Sequence, residues 1–272
     1  MTQTVYKDTG SIRKVYVDTC LSTPGQPGAG TGTGYTRQNL LVSADFEGST
    51  PFKPFYPLNS SSCCAYSVQT STTVAHTGAQ STLFTLYKTD PIVGAGYRSE
   101  IVPLYTENAV YNERWVGFSV YLPASFIKDP APEVIQQVHA QNSDSPPFAI
   151  CTQNGNWWIE INYDVNGTTK YNNIDLGIPY KTGVWTNWVY HVRFSKGTDG
   201  LVEVWKDGVK VYSYTGQTQY TNLTAGNYYK FGIYKWGWQY PTWFTSTSTQ
   251  RQIYYDDIRI GNEKATYQDV AP

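Results

Sequence analysis

Short runs in which apolar and polar residues alternate recur along the chain from about residue 40 onward. Representative runs are STLFTLYK, RWVGFSVYLP, NWVYHVRFS and QIYYDDIRIG, and turn residues separate them. A period of two places the apolar side chains on one face of a strand, and strands at this spacing are typical of antiparallel sandwiches. The only short helical candidate is PASFIKD. The pattern predicts an all-β fold, an antiparallel β-sandwich of the jelly-roll, concanavalin-like type.

Turn and linker signals divide the chain into an arm and one domain. The pairs Asn154-Gly155 and Asp207-Gly208 predict hairpin turns, because these residues tolerate positive φ. Residues 1–40 contain STPGQPGAGTGTGYT, which is rich in Gly, Pro and Thr and predicts an irregular N-terminal arm or linker. We expect residues 41–272 to form the jelly-roll domain.

Composition narrows the classes of partner. The chain has 272 residues, a formal net charge of −1 and 15% charged residues, so no basic surface indicates a nucleic-acid partner. No run of eighteen apolar residues indicates a membrane span. Met1 is the only methionine, and no apolar leader follows it, which suggests a start placed after a removed leader. We therefore expect a secreted or periplasmic protein, and we expect it to be a monomer.

The cysteines predict one possible disulfide and no zinc site. Cys63 and Cys64 are neighbours, which rarely bond each other because the geometry is strained. A bond from either of them to Cys20 is possible in a secreted protein. Cys151 stands alone, and no Cys-x-x-Cys pair or Cys/His cluster offers zinc ligands.

One predicted strand carries a polar face with a titratable group. In EVIQQVHAQ, alternation places Gln137, His139 and Gln141 on one face. A solvated face with a hydrogen-bonded histidine is one interpretation; a proton-transfer group with amide neighbours is the other, because histidine titrates near neutral pH. His76 and His191 have no such neighbours, and we interpret both as structural.

Two further strands carry charged groups at strand parity. In YRSE, Arg98 and Glu100 share a face, either as an ion pair or as a clamp for a carboxylate. In NYYKFGIYK, Lys230, Gly232 and Tyr234 share a face, with the glycine between the cation and the phenol. The residues alone do not decide between a structural and a functional role for these pairs.

From about Asp45 to Gly261 the chain resembles the jelly-roll polysaccharide lyases, a group that includes heparin lyase I and glucuronan lyase. The matching segments, in order, are ADFEGS, YRSE, VGFSVYLP, VIQQVHAQ, GVWTNWVYHVRFS, GLVEVWKDGV, YYKFGIYK and YYDDIRIG. The resemblance implies cleavage of an acidic, uronate-containing polysaccharide by β-elimination. It also implies five catalytic residues, which are Arg98, Gln137, His139, Lys230 and Tyr234, and a cleft in which Gly232 leaves room for a sugar.

The implied chemistry assigns roles and leaves one alternative open. The proton at C5 of a uronate is weakly acidic, so donors such as Gln137, Arg98 and Lys230 must stabilise the developing negative charge. A base takes that proton and an acid protonates O4. If the C5 proton and O4 lie on opposite sides of the ring, His139 as base with Tyr234 as acid is the more natural arrangement. If they lie on the same side, Tyr234 could serve in both roles, with its pKa lowered by nearby cations. This chemistry requires no cofactor.

Substrate and binding residues follow less directly. The balance of 20 Lys plus Arg against 21 Asp plus Glu favours an unsulfated, glucuronan-like polymer over heparin. The segment KWGWQYPTW follows the Lys/Tyr strand, and it is either a sugar-stacking loop or part of the core. The expected substrate-binding residues are Glu100, Gln141, Trp236 and Trp238.

A structural calcium ion is possible, because sandwiches of this type often hold one through oxygen ligands. Glu47 near the first strand and Asp257 near the last are the candidate ligands. Two other functions remain open. A retaining glycoside hydrolase would use Glu160 and Asp164, which lie about 13 Å apart on a straight strand and would need a bulge to meet. A non-catalytic carbohydrate-binding module would explain the aromatics.

Overall fold

The computed structural model describes residues 35–272 except 106, 108 and 141–144, together with two short paired strands, β1 (Lys7–Asp8) and β2 (Ser11–Ile12). Of the described residues, 48% are in strands and 5% are in helical turns. The predicted all-β jelly-roll sandwich is confirmed. The boundary between residues 1–40 and 41–272 remains a prediction, since most of residues 1–34 lie outside the described part.

Two antiparallel sheets face each other, and their inner faces enclose the core. The strands after β2 are β3 (Leu40–Ala44), β4 (Val68–Ser71), β5 (Ser81–Tyr87), β6 (Arg98–Ile101), β7 (Glu113–Tyr121), β8 (Glu133–Ala140), β9 (Phe148–Gln153), β10 (Asn156–Val165), β11 (Thr168–Pro179), β12 (Trp185–Arg193), β13 (Leu201–Lys206), β14 (Val209–Thr215), β15 (Asn227–Tyr234) and β16 (Gln250–Gly261). Short helical turns are η1 (Leu58–Ser60), η2 (Trp236–Gln239) and α1 (Tyr267–Val270).

The six-stranded sheet has the order β11-β10-β9-β8-β15-β6. The eight-stranded sheet has the order β14-β13-β12-β7-β16-β5-β4, and β3 pairs with the second half of β16. Alternation along β8 and β15 sends Val138 and Phe231 into the core, while Gln137 and Lys230 stand on the opposite face. The outer face of the six-stranded sheet is therefore polar in its middle.

The core is rich in large aromatic side chains from both sheets. Trp157 and Trp188 meet at 5.2 Å between ring centroids, and Phe118 contacts Phe231 at 5.6 Å. Burying such rings provides most of the driving force for closing the sandwich, because free energy scales with the apolar area removed from water.

The turn predictions hold where the backbone shows positive φ. Asn154-Gly155 and Asp207-Gly208 both adopt it, as expected for two-residue hairpins. A third such pair, Asn166-Gly167, joins β10 to the long strand β11, which the sequence pattern did not predict. The helical prediction for PASFIKD is wrong: the segment forms a turn in which the Phe126 amide donates to the Pro123 carbonyl.

The disulfide expectation is also wrong for the described cysteines. Cys63 and Cys64 bond each other, in a turn that the Ser67 amide closes by donating to the Cys64 carbonyl. Cys20 lies outside the described residues, and Cys151 is a buried free thiol.

Candidate active site

Three neighbouring strands bring the predicted polar residues onto one surface. In the antiparallel pairs, Lys230 lies opposite Gln137, and Tyr234 lies opposite Arg98. The strand β6 is itself held at its free edge, where Ser62 forms a bridge with Ser99. The residues that sequence alternation placed on three separate strands are thus adjacent on the outer face of the six-stranded sheet, which we term the cleft face.

Glu100 organises the centre of the cleft face. Gln137 donates from Nε2 to Glu100 Oε1 at 2.6 Å, and Arg98 donates to Oε2 at 3.2 Å. Lys230 Nζ lies 3.6 Å from the same Oε2. Two cations therefore share one carboxylate, which leaves the group with one excess positive charge. This excess suits a bound carboxylate.

Some polar atoms in this group have no protein partner within the described part of the chain. Gln137 Oε1 and Arg98 Nε are both buried and accept or donate no hydrogen bond there. A buried polar atom without a partner costs free energy, so such atoms commonly mark a place where a ligand completes the bonding. Arg98 Nε can donate to a carboxylate, and Gln137 Oε1 can accept from a sugar hydroxyl.

His139 has one ring nitrogen at a carbonyl oxygen, and no hydrogen bond from the described residues reaches the other. Its Nδ1 lies 2.7 Å from the Ala140 carbonyl oxygen, which can only accept, so Nδ1 carries the proton. The lone pair of the neutral ring is therefore on Nε2. Burial lowers the pKa of His139 below its ordinary 6.5, and the charge of Lys230 acts in the same direction. His139 is neutral at pH 7, the form that a base requires.

Tyr234 differs from expectation in its ionisation. Burial raises its pKa above the ordinary 10.0, although the charge of Arg98, whose guanidinium lies 4.2 Å from the ring centroid, acts to lower it. The predicted phenolate is therefore disfavoured, because desolvation outweighs the cation. No protein group among the described residues hydrogen-bonds the Tyr234 hydroxyl, and Gly96 leaves room for the ring edge. The phenol is suited to donate a proton.

The register shows a tyrosine that the sequence analysis did not select. Tyr228 lies opposite His139, and their rings stack at 5.2 Å. Tyr234 is six residues further along β15, about 20 Å on a straight strand. His139 and Tyr234 reach one sugar only if both side chains lean along the strands toward Lys230. The signal for Tyr228 was its parity with Lys230 in NYYKFGIYK.

Gly232 does not leave room for a sugar. It lies at a β-bulge with φ +137°, and a Cβ there would lie 2.2 Å from the Ser99 carbonyl oxygen. The neighbouring strand β6 approaches too closely for any side chain. Glycine is needed so that β15 can bend while it still pairs with β6.

The remaining predicted substrate-binding residues have different surroundings. Trp238 is 4% exposed and donates from Nε1 to Ser246 Oγ. It is therefore a core residue, because η2 turns its ring inward, away from the cleft. Trp236 is half-buried against an apolar patch made by Val134, Ala149 and Cys151, beside Tyr234. Gln141 lies outside the described residues.

Glu160 and Asp164 do not form a carboxylate pair. Glu160 accepts from the Cys151 thiol and Asn162, and burial raises its pKa. Asp164 accepts from the backbone amide and hydroxyl of Thr221, at 2.5 and 2.6 Å. Each carboxyl thus has its own partners, and no bulge brings the two together between these residues, since β10 pairs regularly from Trp158 to Val165.

The contacts of Glu47 and Asp257 do not fit a calcium site. Glu47 accepts from the backbone amides of Ala79 and Gln80. Asp257 accepts from Arg259 at 2.5 Å, and its other oxygen lies 2.8 Å from Nδ1 of His76. A guanidinium so close repels a second cation. The calcium expectation therefore stays a prediction that these contacts do not support.

Within the described ranges, Cys63, Cys64 and Asp90 form the one cluster of three groups with metal-ligand spacing. Both sulfurs of that cluster are in the disulfide, so neither can ligate as a thiolate. His191 lies on the other sheet between Glu113 and Glu203, away from the cleft face. None of the helices in the described part is long and apolar enough to cross a membrane.

Solved structures with similar folds include carbohydrate-active enzymes. An endo-β-1,4-glucuronan lyase from the fungus Trichoderma reesei is 20% identical, with a TM-score of 0.64 over 75% of this chain and 89% of that chain. An alginate lyase from Aplysia kurodai is 12% identical, with a TM-score of 0.50 over 78% and 92%. The catalytic domain of a glycoside hydrolase family 131 protein from Coprinopsis cinerea is 14% identical, with a TM-score of 0.50 over 78% and 85%.

Similarity at these identities shows the fold alone, and the family rests on a separate finding. No curated protein sequence matches the chain significantly. A family model described as polysaccharide lyase matches residues 29–259, which is most of the chain. The resemblance found in the sequence is thereby confirmed, and the chain belongs to the polysaccharide lyase family, whose members act on polysaccharides.

Proposed function

We propose that the protein cleaves an unsulfated, glucuronan-like polyuronate by β-elimination. The observation that carries this proposal is the buried group on the cleft face, in which Arg98, Lys230 and Gln137 surround Glu100. One excess positive charge matches the single carboxylate of a uronate. A sulfated polymer with several anions per disaccharide would favour a more basic site.

The first step is neutralisation of the substrate carboxylate. Arg98 donates to it from its free Nε, and Lys230 adds positive charge. The negative charge that develops on the carboxylate when C5 loses its proton is thereby stabilised, as in an oxyanion hole. Gln137 accepts a sugar hydroxyl through Oε1 and so orients the ring.

The second step is proton transfer with bond cleavage. In a glucuronate the C5 proton and O4 lie on the same side of the ring, so the base and the acid must both act from that side. His139 Nε2 takes the C5 proton, the electron pair forms the C4=C5 double bond, and the C4–O bond breaks. Tyr234 donates its hydroxyl proton to the leaving O4. The products are a new reducing end and a chain that begins with an unsaturated uronate. Tyr228, which stacks on His139, is the alternative acid.

The ionisation states support this division of roles. Burial lowers the pKa of His139, which is then neutral, and raises the pKa of Tyr234, which stays protonated at neutral pH. Tyr234 acting as both base and acid would need a phenolate, which burial opposes. A hydrolase mechanism would need two nearby carboxyls, and Glu160 and Asp164 are bound separately.

Unsaturated product provides the test. Incubation with β-1,4-polyglucuronate should raise the absorbance at about 235 nm, the band of the unsaturated uronate. Alginate and heparin in parallel test the substrate assignment, and we expect weaker product formation from both. The other expectations, a secreted or periplasmic monomer without a required cofactor, stand as part of this proposal.

A further inference from the structure

The aromatic residues that follow the Lys/Tyr strand form an exposed platform outside the proposed chemistry. Trp243 is 70% exposed and Tyr240 is 40% exposed. Their rings stack at 4.7 Å between centroids with an interplanar angle of 11°. Single exposed apolar residues are ordinary, but two parallel rings hold each other in one orientation and present a flat face.

The platform is continuous with the cleft face. Trp236 contacts Tyr240 at 6.0 Å, and it also packs on the apolar patch that borders Tyr234. The ring of Tyr234 and the side chain of Gln239, the residue before Tyr240, both lie against Gly96. A row of aromatic rings therefore leads from the proposed acid to Trp243.

The segment is held rigidly and is uncharged. Residues 236–244 contain no Asp, Glu, Lys, Arg or His. The amides of Trp243 and Phe244 both donate to the Tyr240 carbonyl, and Gln239 donates to the Ala95 carbonyl at 2.6 Å. A flat apolar face without charge suits the C–H face of a pyranose ring, while it offers no ion-pair partner to a phosphate.

We propose that Tyr240 and Trp243 form a distal sugar-binding subsite for the substrate chain. The subsite stacks a pyranose ring of the leaving chain. That ring lies beyond the sugar that carries away the O4 that Tyr234 protonates. The inference rests on the proposed function, because the occupant is another residue of the same polyuronate. Only chains long enough to span from the cleft centre to the platform gain from it.

Two readouts test the subsite. The first is the affinity of β-1,4-polyglucuronate, measured by calorimetry on the inactive Tyr234→Phe background, with and without Trp243→Ala. The second is kcat/KM on the polymer and on the shortest cleaved oligosaccharide. Trp243→Ala should weaken polymer binding and lower polymer kcat/KM on the order of tenfold, the loss expected for one stacking contact. It should leave the short substrate unchanged, and Trp243→Phe should restore part of the loss.

The matched control is a pair of tyrosines with similar exposure. Tyr240→Ala removes the stacked ring, whereas Tyr87→Ala removes a ring 36% exposed on the eight-stranded sheet. Only the first should weaken polymer binding. Three results would overturn the subsite. They are unchanged polymer affinity in Trp243→Ala, an equal loss of kcat/KM on short and long substrates, and a change in oligomeric state, measured by sedimentation, without a change in affinity. Wild-type enzyme that binds polymer without forming unsaturated product would overturn the proposed function, and the binding comparison would still decide the subsite.

Discussion

At the scale of single residues, His139 derives its proposed role as base from two features of its surroundings. The Ala140 carbonyl fixes the proton on Nδ1 and so places the lone pair on Nε2, and burial lowers the pKa of His139 below 6.5. A base with a lowered pKa is fully deprotonated at neutral pH, although its driving force for taking a proton is smaller. The lowered pKa should be visible in the pH profile.

We expect kcat/KM to rise with pH through a pKa below 6.5 and then to stay level across neutral pH, because burial lowers the pKa of His139. The acidic limb reports the free enzyme, in which His139 must lose its proton before it can act. His139→Ala should abolish this limb along with most of the turnover. A wild-type profile that climbs steadily from neutral pH toward 10 would instead identify a phenolate base and would refute the assignment of His139.

The two tyrosines of β15 form a matched pair of variants. Tyr234→Phe and Tyr228→Phe each delete one hydroxyl and keep the ring packing against Arg98 or His139. Tyr234→Phe should lower kcat by ~10²-fold or more with little change in KM, the pattern for loss of a group that acts in the transition state. Tyr228→Phe should lose much less. The reverse order in steady-state kinetics would move the acid to Tyr228.

At the scale of the elements, the bulge in β15 sets the geometry of the cleft face. Gly232 permits β15 to bend against β6 at φ +137°. Gly232→Ala should lower the free energy of unfolding by roughly 2–4 kcal/mol, since backbone strain and a clash with Ser99 add. Urea unfolding measures the change.

Gly183→Ala is the control for that variant. Gly183 also has positive φ, at +76°, but apart from its two chain neighbours no described residue lies within 4 Å of the place that a Cβ would occupy. The substitution should cost about 1 kcal/mol, from strain alone. Equal losses in the two variants would show that close approach of β6 plays no part.

A buried ionic network anchors the end of β15 beside the proposed acid. Lys235 is fully buried, 3.3 Å from Asp129 and 3.6 Å from Glu133, and Arg251 also pairs with Glu133. Lys235→Met should destabilise the fold by roughly 3–5 kcal/mol, because it leaves buried carboxylates short of a partner. The more exposed pair Lys206–Asp207 supplies the comparison, and Lys206→Met should cost less than about 1 kcal/mol. Similar midpoints of urea unfolding for both variants would contradict the account.

Strand parity predicted which residues share the cleft face, because side chains on a strand alternate strictly. It failed at Gly232, where a bulge interrupts the alternation, and bulges leave no periodic signal in the sequence. The pairing register is equally invisible along one strand, so the position of Tyr228 opposite His139 could not be read in advance. The direction of the Tyr234 pKa shift also failed, since burial depends on neighbours from distant segments.

At the scale of the whole molecule, the positive charge at the proposed substrate site contrasts with the slightly negative charge of the chain. The chain carries a net charge of −1, yet the centre of the cleft face has two cations for one carboxylate. In the proposed function, one excess positive charge suits one carboxylate per sugar, whereas a sulfated polymer would favour a more basic site. The family and this local charge together favour a polyuronate substrate.

Ultraviolet absorbance during incubation with β-1,4-polyglucuronate tests the central claim most directly. The wild-type protein should depolymerise the chain and raise the absorbance at about 235 nm in step with new reducing ends, because each β-elimination forms one unsaturated uronate. Tyr234→Phe, folded and able to bind polymer, should lose most of that signal. New reducing ends without the absorbance would mean hydrolysis, and binding without either product would mean a non-catalytic module; both results contradict the proposed β-elimination.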